Sequence, residues 1–276
     1  MDGKDPVQTS RQIRIGAQLW PEHAEYPQLR AAWQRAEALG VDTIWTWDHF
    51  FPLNGQRSGK SLECWTVLAA MAEVTSRVEF GALVSCTAYR NPHVLADMAR
   101  TVDLISGGRL ILGLGAGWFE PDFTEYEFAF GSNGALLRDM AAAVPVIKAR
   151  LARLVPPPVR GTMPILIGGT GERITLPIVA EHATIWNAIA DQPDILAHKS
   201  RVLDQHCTRI GRNPAQIERS IAMFQPEDLN ALDSYLAIGF THFIWGVGGP
   251  DYDLSGVEQL LHWRASLNRD RTGVDA

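Results

Sequence analysis

Asp48 and His49 stand side by side where an apolar, β-branched run ("VDTIWTW", from Val41) gives out. An imidazole exchanges a proton close to neutral pH, so His49 has the chemistry of a general acid or base. The acid beside it would then orient the ring or remain solvated and anionic. The same two residues would also serve as a hydrogen-bonded tie for a loop, and residue type alone leaves both readings open.

Three further stretches carry possible chemistry. "LGLGAGW", Leu112 to Trp118, is no dinucleotide fingerprint, because Trp118 stands where the third glycine of G-x-G-x-x-G belongs. Gly113, Gly115 and Gly117 either let a flat ligand approach the backbone or make room for large neighbours. "ILIGGTGERIT", Ile165 to Thr175, ends a strand at Gly168–Gly169 and leads through Thr170–Gly171 into a helix expected from Glu172, with Arg173 in its first turn. Free N–H groups at a helix start form an anion cradle, and a tight strand-to-helix turn would use the same glycines. The Gly-Lys-Ser/Thr of a Walker loop is missing. "ALVSCTAYRNP" offers Tyr89, Arg90 and Asn91 before Pro92 opens a helix. The eight histidines include no H-E-x-x-H or H-x-H, so no metal site is expected, and His182 and His198 fall in helical segments. No G-x-S-x-G nucleophile elbow is present.

The elements that must position these residues read as eight strand-like runs. They start at Ile13, Val41, Arg77, Arg109, Pro164, Ala183, Glu218 and Phe240. Segments of helical period lie between them. Leu29, Trp33, Ala36 and Leu39 form one stripe, stopped by Gly40; Val94, Met98, Val102 and Ile105 form another; "DLNALDSYLAIG" forms a third. Continuous apolar strands alternating with helices imply parallel strands covered on both faces. Eight such units favour a closed (β/α)8 barrel, with chemistry at the C-terminal strand ends, where Asp48 and His49 fall. The widest gap, Gly117 to Pro164 between strands 4 and 5, reads as an insertion over the barrel mouth. One domain spanning residues 1–276 is expected, with residues 1–11 a flexible tail.

Bulk properties fit this reading. Hydrophobic residues make up 46% of the 276 and charged residues 20%, enough for a large core. A net charge of -6 disfavours nucleic-acid and anionic-membrane partners, whose affinity rests on clustered Lys and Arg. Cys64, Cys86 and Cys207 form no C-x-x-C, no apolar run nears the ~20 residues of a membrane helix, and the start is polar. A cytoplasmic protein acting on a small molecule is expected.

Four stretches together resemble the luciferase-like monooxygenase family, and most of all its branch that uses the deazaflavin coenzyme F420. They are "AEALGVDTIWTWDHF", "TSRVEFGALVSCTAYRNP", "TVDLISGGRLILGLGAGWFEPDFTEYEF" and "PILIGGTGERITLPIVAEHATIWN". The resemblance implies a TIM barrel holding a flat ring in its mouth, with His49 as proton donor or acceptor and Asp48 beside it. It implies a bulge with a non-prolyl cis peptide at Leu83–Val84 backing the ring, followed by Ser85 and Cys86 at the pyrimidine edge. Gly115, Ala116 and Gly117 would pass beneath the ring. Gly168, Gly169, Thr170 and Gly171 would hold the ribityl phosphate, and Asn187 closes the cofactor set. Sugar-phosphate dehydrogenases of this branch carry glutamate after the glycine matching Gly117. This chain has Trp118 there and its nearest acid at Glu120, so Glu120 joins the catalytic candidates, Trp118 and Tyr89 become substrate contacts, and a less polar substrate is expected. Arg57, Lys60 and Arg90 are candidate cations for the acidic tail of F420. The family also suggests a homodimer. FMN is the alternative cofactor, giving a monooxygenase; a ring-binding protein without turnover and a metal-assisted hydrolase are the other readings.

Overall fold

A computed structural model describes residues 11–272. The expected tail, residues 1–11, lies outside them except for Arg11. Nine parallel strand segments form one sheet: β1 (Arg14–Leu19), β2 (Thr43–Thr46), β3 (Glu79–Ala82), β4 (Ser85–Cys86), β5 (Leu112–Gly115), β6 (Ile165–Gly168), β7 (Ile185–Ile189), β8 (Glu218–Met223) and β9 (His242–Val247). Their spatial order is β3-β2-β1-β9-β8-β7-β6-β5-β4. A parallel bridge from Phe80 to Leu110 closes the circle, with the Phe80 N–H on Arg109 O at 3.1 Å and the Ile111 N–H on Phe80 O at 2.8 Å. β3 and β4 are the two halves of one barrel strand, so eight strands form a closed (β/α)8 barrel.

That strand divides because each half has a different neighbour. β3 pairs with β2 and β4 with β5. Between them lies the bulge at Leu83–Val84, whose peptide bond is cis.

Helices surround the barrel: α1 (Tyr26–Leu39), α2 (Cys64–Val74), α3 (Pro92–Ile105), α4 (Glu120–Glu125), α5 (Asn133–Leu151), α6 (Thr175–His182), α7 (Pro193–Arg209), α8 (Leu232–Ala237) and α9 (Ser255–Thr272). Their ends follow local chemistry. Gly40 closes α1 at φ 96°, a left-handed conformation that glycine enters without steric cost. The Glu63 carboxylate accepts the Trp65 and Thr66 N–H groups to start α2, and Asn91 accepts His93 N–H to start α3. Leu29, Trp33 and Ala36 are buried as their stripe requires, whereas Leu39 is exposed.

Three expectations need correcting. On α3, Val94 and Ile105 are exposed and Leu95, Ala96, Ala99 and Val102 are buried. Buried alanines mark no stripe in the sequence, so the larger residues suggest the wrong helical phase. The third amphipathic segment is a 3-10 turn (Pro226–Ala231) followed by the short α8, not one helix. The Gly117–Pro164 insertion also divides. Its first part, with α4, covers the mouth, while α5 packs on α3 as a regular barrel helix. The Pro-rich loop after α5 lies at the opposite end. There Val159 N–H donates to Asp103 and Arg160 bonds Glu79, the first residue of β3.

Two cores follow from two-residue alternation along the strands. Ile15, Ile44, Phe80 and Phe243 point out beneath the helices. Trp45, Leu83, Ile111, Leu166, Ile185, Ala222 and Ile244 fill the barrel interior. Among the described residues no helix is long and apolar enough to cross a membrane.

Candidate functional site

Continuing the inward alternation past the strand ends builds a cavity of about 1010 Å³ at the mouth. Trp45 is inside the barrel, and two and four residues on, Trp47 and His49 face the cavity. The same step carries Ile111 to Gly115 and Gly117, Leu166 to Gly168, Ile185 to Asn187, and Ala222 to Phe224.

The third barrel strand breaks the rule. Leu83 and Val84 both line the cavity, and after them Cys86 does, while Ser85 turns away and is fully buried. A bulge adds one residue and so reverses which side chains face in. Gln18 fixes the bulge by donating from Nε2 to Leu83 O at 2.9 Å.

His49 Nδ1 lies 2.7 Å from Asp122 Oδ2. Asp122 is fully buried on α4 and also accepts the Phe50 N–H (3.1 Å), the Phe51 N–H (3.3 Å) and the Tyr89 hydroxyl (3.0 Å). Every partner donates, and a carboxylate only accepts, so Nδ1 carries a proton and Nε2 is the variable position. Nε2 has no protein partner among the described residues. Trp47, Trp118 and Phe119 surround the imidazole edge-on, with centroids 5.9, 5.7 and 5.6 Å away.

The acid that orients the ring is therefore Asp122, not Asp48. Asp48 is neither on the imidazole nor solvated. It is buried and takes a two-pronged contact from Arg90 at 2.6 and 3.0 Å, together with the Cys86 N–H at 3.0 Å. Burial pushes its carboxyl up, and Arg90 and Cys86 pull it back. For Arg90, burial acts to lower the guanidinium, and the charge of Asp48 outweighs it, leaving the group raised. Arg90 also bonds Glu63 at 2.6 Å, so it is locked inside and is not a mouth cation. Arg57 lies over the Phe119 ring at 5.3 Å and Lys60 pairs with Glu25. The lysine that borders the cavity is Lys199, 2.6 Å from Glu172.

Of the other candidates, Leu83, Val84, Cys86, Tyr89, Gly115, Ala116, Gly117, Trp118, Gly168, Gly169, Thr170 and Asn187 line the cavity. Ser85, Gly171 and Glu120 do not; Glu120 is exposed at the start of α4, two residues from Asp122. Burial pushes the Cys86 thiol up to about 12, so it stays protonated at neutral pH. The glycines answer the question left by the sequence. A methyl group on Gly113 would strike Ala82 O and one on Gly115 would strike Val84. On Gly117, at φ +83°, it would lie 2.5 Å from Cys86 Sγ. They make room for neighbours, and Gly115 and Gly168 leave the space that Val84 fills as a floor of the cavity. Sequence reasoning misses Asp122, Trp20, Trp47, Phe224 and Gln18, although strand alternation is signal enough for the last four.

The floor and the loop beyond it fit a planar ring with a phosphate-bearing arm. Val84 closes the space above Gly115 and Gly168 with one isopropyl group. Past Gly169 (φ +119°), no described residue accepts from the backbone N–H groups of Thr170, Gly171, Glu172 and Arg173. α6 begins at Thr175, three residues later than expected, because residues 172–174 form a turn. Among the described residues no group of three or more His, Cys, Asp or Glu is placed to hold a metal ion.

Comparison with known proteins places this geometry in a family. The luciferase-like monooxygenase family model matches residues 8–225. The F420-dependent glucose-6-phosphate dehydrogenase of Amycolatopsis mediterranei is 40% identical over 84 residues, 30% of this chain, and the match spans only a quarter (25%) of that relative's length. An F420-dependent secondary alcohol dehydrogenase, solved with an F420–acetone adduct, superposes with a TM-score of 0.79 at 16% identity, covering 91% of this chain and 98% of that one. The monooxygenase RslO1 from Streptomyces bottropensis superposes at 0.73 with 15% identity, covering 94% and 100%. At such identities the two superpositions speak for the fold.

Proposed function

The chain belongs to the luciferase-like monooxygenase family, and from that premise we propose an F420-dependent oxidoreductase acting on a small, weakly polar organic substrate. The observation that carries the reading is the His49–Asp122 pair on the cavity wall, with Nε2 of His49 unpartnered. When bound, the deazaflavin supplies hydride transfer. The protein's part is to accompany that transfer with a proton. Asp122 holds Nδ1–H, so Nε2 takes a proton from a substrate hydroxyl, or gives one to a substrate oxygen when protonated. Asp122 steadies the positive ring that forms on the way. Trp47, Trp118 and Phe119 pack edge-on around the imidazole and help to hold its orientation. Val84 and the Gly115–Gly117 backbone offer the ring a floor, and the free N–H groups from Thr170 to Arg173 suit its phosphate. The likeness to an F420-dependent relative supports the deazaflavin over FMN. Trp118, at the rim where the glucose-phosphate enzymes of this branch carry glutamate, supports a substrate less polar than a sugar phosphate.

The test is titration of the protein with F420 and, separately, FMN, following tryptophan fluorescence. Tighter binding of F420 is expected, and His49→Ala should keep that binding while losing turnover by ~10²-fold or more. Tighter binding of FMN would move the reading to a monooxygenase. Undiminished turnover in His49→Ala would remove the histidine from the mechanism.

A further inference from the structure

The sheet order divides the cavity mouth into two arcs. On the arc from β4 to β7 most inward positions are small or polar, Cys86, Gly115, Gly117, Gly168 and Asn187 with the Val84 floor, and Ile189 stands at the outer end of β7. This is the arc that accommodates the ring in the reading above. The remaining arc runs through β8, β9, β1 and β2. Its inward side chains at the cavity are Phe224, Trp20 and Trp47, and it ends at His49, while β9 contributes Gly246 and Gly248 behind them.

This second arc is an aromatic slot with glycine backing. Trp20 and Trp47 stack with centroids 5.0 Å apart and planes 10° from parallel, and Phe224 meets Trp20 at 6.2 Å. The wall stands where it does because β9 offers no side chain behind it. A methyl group on Gly246 would strike Phe224 and come within 3.0 Å of Trp20 Cζ2, and one on Gly248 would lie 3.1 Å from Trp20 Cε3. Neither indole nitrogen has a hydrogen-bond partner, so stacking and packing alone orient the pair. The arc also presents no free charge to the cavity. Asp48 is bound to Arg90, and the other charged lining residues, Asp191 and Lys199, belong to the loop and helix after β7. At about 1010 Å³ the cavity is at the upper end of small-molecule sites, leaving room beside a bound ring.

We infer that the Trp20–Trp47–Phe224 arc is the substrate subsite and that it takes an uncharged, planar, conjugated or aromatic carbonyl compound or the matching alcohol. The flat body lies against the indole wall and the oxygen points to His49 Nε2, since Trp47 adjoins both the wall and the imidazole. This rests on the proposed oxidoreductase reading for what happens at that oxygen, but the subsite itself is built by this chain alone.

The experiment is equilibrium dialysis of the full-length protein, without cofactor, against 2-acetylnaphthalene and its saturated analogue 2-acetyldecalin. The flat ketone should be held ~10-fold more tightly, because each aromatic contact adds to simple burial and the puckered ring cannot stack. Trp20→Leu and Gly246→Ala should each abolish that preference, the first by removing the wall and the second by pushing it into the slot. Trp20→Phe should restore part of it. Equal retention of the two ketones by the wild-type protein would overturn the inference, and that measurement needs no variant to fold. A preference that survives both Trp20→Leu and Gly246→Ala would overturn it too. An F420 titration of the same wild-type sample keeps the two readings apart. F420 binding with no preference for the flat ketone sinks only the subsite; a clear preference without F420 binding supports the subsite and sinks the cofactor assignment.

Discussion

Asp122→Asn is the sharpest perturbation of the proposed proton path, because it changes one charge and almost no volume. In the wild-type protein Oδ1 accepts the Phe50 and Phe51 N–H groups while Oδ2 faces His49 Nδ1 and the Tyr89 hydroxyl. An asparagine can keep its oxygen on the two backbone donors and turn its NH₂ toward the other two. The Tyr89 hydroxyl then switches from donor to acceptor, and His49 Nδ1 must accept as well. Every buried polar group stays paired, so the fold should tolerate the change. The imidazole proton, however, moves from Nδ1 to Nε2, and no anion remains to support the charged ring. A hydrogen bond to a charged group contributes ~1.5–3 kcal/mol, so turnover should fall ~10- to 150-fold. Nitrogen-15 NMR of labelled histidine reads the tautomer without any substrate: wild-type His49 should show Nδ1–H and the variant Nε2–H. In a His49→Ala background the second substitution should cost nothing further, since Asp122 acts through the ring. Wild-type turnover in Asp122→Asn would refute the reasoning, as would an equal loss when His49 is already absent.

Two further outcomes test the buried charges. Burial, with the charge of Arg14 adding to it, holds His242 well below the usual 6.5. The unfolded chain therefore takes up a proton that the folded chain refuses. This contribution to stability is fully present above about pH 6.5 and is lost as the pH falls below it, at up to ~1.4 kcal/mol per pH unit. Urea unfolding between pH 7 and 5 should show a slope one proton shallower in His242→Gln, because Glu218 and Arg14, which face His242, are common to both proteins; equal slopes would remove His242 as the cause. Arg90→Met should cost ~3–5 kcal/mol in the same assay, because it leaves Asp48 buried and unpaired, and adding Asp48→Asn should recover part of the loss.

Much of this site is legible in the sequence because strands alternate with a period of two. Once Trp45 is known to point inward, Trp47 and His49 follow, and the same step from Gln18 reaches Trp20; Asp48 borders the cavity too but turns its carboxylate onto Arg90 and the Cys86 N–H. The alternation fails at Ser85, where the bulge between β3 and β4 reverses it. Family resemblance points to the bulge but not to its consequence for Ser85 and Cys86. α3 misleads for a different reason, since Ala96 and Ala99 are buried without being large. The Pro-rich loop shares an insertion with α4, which suggests the mouth, yet nothing in its composition says at which end of the barrel it lies.

Asp122 is hidden by distance. It is 73 residues from His49, in a segment whose acids, Glu120, Asp122 and Glu125, are alike on paper. What selects Asp122 is the turn of α4, which exposes Glu120 and buries Asp122 against the end of β2. The distant acid has consequently taken the role expected of the neighbouring one. Asp48, next to the histidine in sequence, ties Arg90 and the Cys86 N–H together and so anchors the strand just past the Val84 floor. Asp122 settles the histidine's tautomer. The two carboxylates therefore act on different parts of one cavity: Asp48 on the surface where a ring would lie, Asp122 on the atom that would move a proton. Neutralising Asp48 should for that reason disturb ring binding before proton transfer, the reverse of the order expected for Asp122.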